Sequence, residues 1–309
     1  MITKSILSWL LDGDVAIQYQ VYRDLLDQNK PGLRKRIETE GWGLRFLECR
    51  HANGHWGRGF YQPKWTSTHY TLLDLKQLNI LPNPAVWEAL QLILKNETGQ
   101  DGGINPSAPE TPSDVCINGM FLNYACYFET KEKELHRLID FLLTQKMKDG
   151  GFNCHSNKKG AVHSSLHTTL SVLEGIHEYE QKRYGYRLAE LKQAKKESIE
   201  FILMHKLYRS DHTGNIINSN FLKLYFPGRW YYDVLKALDY FRAAEVPYDP
   251  RMEDAIEFLS NKRTKQGLWK LASKHPGLTH FEMETAGQPS RWNTLRALRV
   301  LKKYSSIPE

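Results

Sequence analysis

The chain has 309 residues, 41% of them hydrophobic and 25% charged, with 42 basic against 35 acidic residues for a net charge of +7. This is a globular composition, not that of a disordered or collagen-like chain. No apolar run approaches the roughly 20 residues of a spanning helix, and the basic residues alternate with acidic ones, without the blocks or knuckle spacing that nucleic-acid binding requires.

The first residues place one Lys before a six-residue apolar stretch that ends at Asp12, with no small-residue cleavage site. The expectation is no secretory leader, a cytoplasmic location and no membrane span. The four cysteines, Cys49, Cys116, Cys126 and Cys154, are scattered, so no disulfide framework is expected and each thiol depends on its setting. Residues 14–26 read as an apolar helix and residues 33–48 as a more polar, amphipathic one.

From Gly54 onward one plan repeats: a Gly-containing loop, a polar cap, then an apolar helix. Five segments share the register, beginning at His69, Cys116, His167, Tyr232 and Trp292, with Leu or another side chain three and six positions later. Ser67 or Thr68, Ser113 or Asp114, Ser164 or Ser165, and Ser290 are the candidate caps. More polar helices are predicted between them, near residues 84–96, 132–147, 187–206 and 250–262. The loops carry Gly54-His-Trp-Gly57, Asp101-Gly-Gly103, Asp149-Gly-Gly151-Phe152 and Gln266-Gly-Leu-Trp269. Glycine at these positions suits a left-handed turn that closes an outer helix.

Apolar helices inside and polar helices outside make one all-α domain over residues 1–309, with N-terminal helices in 1–53 and the repeats in 54–309. About six inner–outer pairs closing into an α/α toroid would hide the apolar ends that an open solenoid must cap.

The Gln100-Asp-Gly-Gly103, Asp149-Gly-Gly-Phe152 and Gln266-Gly-Leu-Trp269 loops resemble, in shortened form, those of the terpenoid-cyclase and protein-prenyltransferase β-subunit superfamily of α/α toroids. A narrower likeness lies in Ser113-Asp-Val-Cys-Ile-Asn118 and Ser165-Leu-His-Thr-Thr169, similar to the Asp-x-Cys and His of the prenyltransferases. That resemblance implies a catalytic zinc held by Asp114, Cys116 and His167, three ligands with one open position. It further implies an isoprenoid-like or other hydrophobic substrate and transfer to a thiol, or hydrolysis if the metal holds water. His69 and Tyr232, at the same repeat position, become candidate proton donors. The D-x-D-D and D-D-x-x-D motifs of the cyclases are absent, and residues 104–113 before Asp114 hold no cation for a diphosphate.

Aromatic and basic residues of the loops and inner-helix starts are candidate pocket residues: Trp65, Phe121, Trp230, Trp292, Arg229 and Arg291. The other reading is a non-catalytic ring that binds a hydrophobic molecule or a partner protein. In either case the need for a second subunit stays open.

Overall fold

A computed structural model describes residues 2–107 and 109–304. Among them are fourteen α-helices, four short 3-10 helices and three isolated bridges, but no sheet. Six helices form the inner ring: α2 (Val15–Asp24), α5 (Thr68–Leu78), α7 (Val115–Tyr127), α10 (Leu166–Gln181), α12 (Val234–Ala243) and α14 (Arg291–Tyr304). Each follows an outer partner in the chain: α1 (Lys4–Leu11), α4 (Gly41–Glu48), α6 (Pro84–Asn96), α8 (His136–Thr144), α11 (Leu188–Met204) and α13 (Glu253–Asn261). Two short helices, α3 (Pro31–Arg36) and α9 (Ser156–Lys159), lie in the connections. The toroid closes where α14 packs on both α12 and α2. There the Arg299 guanidinium reaches Asp24 at 2.7 Å and Gln20 at 3.1 Å.

Burial follows the sequence pattern. In α7 every residue from Ile117 to Cys126 is buried, whereas α8 and α13 bury one face and leave polar residues outside. One continuous apolar core runs through both layers.

The recurring loops act as clamps. Asp101 accepts hydrogen bonds from the backbone N–H and hydroxyl of Ser113 at 2.8 and 2.7 Å, and Asp149 does the same for Ser164. The acid of each Asp-Gly-Gly loop thus fixes the start of the next inner helix. Gly102 and Gly150 adopt φ of 89° and 92°, and a Cβ there would lie 3.0 and 2.9 Å from the carbonyl oxygens of Arg137 and Glu197. The aromatic residue of a loop then locks onto the inner helix. Trp56, Phe152 and Trp269 donate their N–H groups to Thr68, Thr169 and Thr294. The two indoles reach back to the outer-helix carbonyls of Phe46 and Leu259.

Two expectations change. The helix expected over residues 33–48 breaks between α3 and α4, where Asp14, the cap of α2 that accepts from Ala16, also accepts from the Trp42 N–H at the start of α4. The fourth repeat is also out of register. Its helix begins at Val234 behind the cap Asp233, which accepts from the Lys236 N–H, so Tyr232 precedes the helix and Leu235 holds the position of Cys116 and His167.

Candidate functional site

The N-terminal ends of the inner helices and their loops form one face of the ring, and most of the candidate residues lie there. Asp114, at the start of α7, pairs with Lys158 of α9 at 3.0 Å. The Cys116 N–H donates to the Cys154 sulfur at 2.9 Å, and that neighbouring thiol, with burial, pushes the Cys116 thiol well above its ordinary value. His167 faces away, toward the start of α12. Its Nδ1 accepts the Tyr232 N–H at 2.8 Å, with the rings of Phe221 and Trp230 each 5.2 Å away, and burial lowers its pKa to about 4. Among the described residues no three His, Cys, Asp or Glu side chains group closely enough to hold a metal ion. As arranged, with Asp114 turned to a lysine and His167 turned to the α12 side, the donor set does not fit zinc. The Cys116–Cys154 contact depends on how the loop before α9 folds back, which spacing does not reveal.

Neither proton-donor candidate lines the two cavities described below. His69 is wholly buried, hydrogen-bonded through Nδ1 to the Tyr124 hydroxyl at 3.0 Å, and burial lowers its pKa to about 3. The Tyr232 hydroxyl donates to the Leu207 carbonyl behind α11, and burial raises its pKa well above 10.

Three of the pocket candidates do meet. Arg229 lies 4.9 Å over the Trp65 ring and donates to the Trp65 carbonyl at 3.0 Å, while the Lys64 ammonium sits 5.2 Å from the rings of both Trp65 and Trp230. Trp230 stacks on Tyr231 at 3.9 Å, and Tyr231 stacks on His275 at 3.6 Å with the planes 9° apart. The loop over residues 271–284 roofs this cluster: the Trp65 indole donates to the Pro276 carbonyl, and a cavity of about 50 Å³ remains between Trp65, Arg229, His275 and His280. Beneath it Asp74 is buried 3.8 Å from Arg229, with neither carboxylate oxygen hydrogen-bonded, and burial raises its pKa to about 6. His275, His280 and Asp74 carried no motif.

The other pocket candidates lie elsewhere. Phe121 is core, 5.3 Å from Tyr124, and Arg291 reaches out to the Trp9 carbonyl and ring. Trp292 stacks on Phe226 at 4.5 Å and faces a second, larger cavity.

That cavity, about 270 Å³, occupies the middle of the ring toward the C-terminal ends of the inner helices, and all six contribute to its wall. Counting nine residues from the one that precedes each inner helix gives Arg23, Lys76, Asn123, Glu174, Arg242 and Arg299, a polar belt inside an apolar ring. Five of these line the cavity, joined by Lys236, Asp239, Glu178 and Arg296. Ion pairs cross it: Lys76 to Glu178 at 2.8 Å, Lys236 to Glu174 at 3.3 Å, and Asp239 to Arg242, Arg296 and Arg299. The arginines hold Asp239 far below the usual carboxylate range. The belt was missed because its period appears only when all six helices are aligned on their caps, and Asp233 was not recognised as one.

No family profile and no curated protein matches the sequence. Among solved structures, a polysaccharide lyase superposes on 96% of this chain and 90% of its own, with a TM-score of 0.54 and 12% sequence identity. At that identity the likeness is one of fold: the chain is an all-helical α/α toroid.

Proposed function

We propose that the protein binds an apolar, isoprenoid-like small molecule at the N-terminal face of the ring. The observation that carries this reading is the half-buried aromatic stack of Trp230, Tyr231 and His275, with the Lys64 ammonium held between Trp65 and Trp230. Stacked rings offer a broad apolar wall, and a cation at their edge suits a ligand with an acidic or polar head. Two loops that lead into inner helices, those before α10 and α14, expose Val162 at 76% and Leu278 at 66%, more than any other large apolar side chain among the described residues. Binding is favoured over zinc-dependent transfer because transfer needs Asp114, Cys116 and His167 at one point, and each has a different partner.

The test is titration of the protein with farnesol and with anilinonaphthalene sulfonate, read by fluorescence, alongside Trp230→Ala and Tyr231→Ala variants. Saturable binding that weakens by about tenfold or more in both variants is expected, as for loss of an aromatic anchor. Equal binding in wild type and variants would move the ligand elsewhere. About one zinc per chain in protein purified without chelator, lost in Cys116→Ala, would instead favour the transferase reading.

A further inference from the structure

We propose a second ligand site, the central cavity at the C-terminal end of the ring, which takes a small organic dianion, a dicarboxylate or a phosphate monoester. It is separate from the aromatic face, since Phe226, stacked on Trp292, closes its inner end.

Charge is the first argument. The wall carries six cations against three carboxylates, Glu174, Glu178 and Asp239, with the buried Asp24 behind them as a fourth. Asp233, buried beside Arg296 and Lys236, is a fifth, so one positive charge is left over inside a confined space, where an anion interacts more strongly than in bulk water. Helix C-termini account for some of the cations: Arg23, Lys76 and Arg242 lie in the last turns of their helices. They do not account for Lys236, which sits in the first turn of α12, or for Arg296, in the middle of α14; each is only 7% exposed.

The second argument is unmet hydrogen bonding. Tyr240 and Trp292 both line the cavity and are 4% and 2% exposed, yet the Tyr240 hydroxyl and the Trp292 indole N–H have no partner. Buried polar groups are normally paired. An indole N–H can only donate, so the missing partner at Trp292 is an acceptor. Oxygen atoms of a carboxylate or phosphate supply acceptors, and the arginines of α14 offer the planar, forked donors that hold such groups. The volume, about 270 Å³, is near the small end of ligand pockets and suits a compact metabolite.

The experiment is isothermal titration and thermal shift of the whole chain at constant ionic strength with succinate, inorganic phosphate and glucose 6-phosphate, using acetate as the monoanion control. Tyr240→Phe is the decisive variant: because its hydroxyl bonds to nothing in the empty protein, the substitution leaves the unliganded melting temperature unchanged or higher. Saturable binding of at least one dianion, much tighter than acetate and weakened about tenfold by Tyr240→Phe, is expected. Preference for succinate or for glucose 6-phosphate decides between carboxylate and phosphate chemistry. Absence of saturable binding by all three dianions, or an affinity unchanged by Tyr240→Phe, would overturn the proposal.

Discussion

Two buried aspartates on inner helices, Asp74 on α5 and Asp239 on α12, respond to pH in opposite ways. Asp74 has no hydrogen bond and one arginine at 3.8 Å, so burial dominates and its pKa rises from 3.8 to about 6. The folded state then holds a proton that the unfolded state has lost, and stability falls as pH rises from about 4 to 6. Asp74→Asn should remove that slope. In urea unfolding, the variant should gain about 2 kcal/mol on wild type between pH 4.5 and 7.5. Parallel stability curves for the two proteins would show that Asp74 titrates normally. Asp239 is the reverse case: three arginines hold its pKa down, so its contribution is complete above its ordinary range and is lost as pH falls toward the folded value. Asp239→Asn should cost about 3–5 kcal/mol at neutral pH, the scale for breaking a buried ion pair, and much less in strong acid.

At the scale of elements, the tightest contact is between α7 and α10. A Cβ on Gly119 would lie 2.7 Å from backbone atoms of Ser171 and Val172, and one on Gly175 would lie 2.6 Å from the Gly119 carbonyl oxygen. Gly119→Ala should therefore force these helices apart at a cost of about 1–3 kcal/mol, seen as a lowered melting temperature. A melting temperature equal to wild type would mean that the pair separates without penalty. This contact explains a break in the repeat that was visible in the sequence, where Gly119 stands in place of the leucines at 72, 170 and 295. Helix positions, the division into inner and outer layers and the glycine turns were legible, because periodicity and caps are local signals. The register of α12 was not: Tyr232 imitates the pattern three residues early, and only the hydrogen bond from the Lys236 N–H to Asp233 marks the true start. The candidate zinc donors share a repeat position, yet equal height on neighbouring helices does not set the direction of a side chain. Lys158 and Cys154, from the connection between α8 and α10, and Tyr232, from the one before α12, claim Asp114, Cys116 and His167 in turn.

At the scale of the whole molecule, the aromatic face and the charged cavity occupy opposite ends of one ring, and the polar belt ties the helices around it. Arg299 joins α14 to Asp24 of α2 and Asp239 of α12, while Lys236 joins α12 to Glu174 of α10. Arg299→Met should destabilise the fold and broaden its thermal transition, since the contact that shuts the ring weakens; an unchanged transition would place closure in the apolar packing of α14 alone. Closure also bears on how the molecule breathes. In an open array of helix pairs the end units have one neighbour and fray first, so protection from amide hydrogen exchange declines toward the ends. Here α2 and α14 are each other's neighbours. Any inner helix that detaches must open two interfaces at once, so α2 and α14 should exchange as slowly as α7 on the far side, with the six inner helices opening as one cooperative unit.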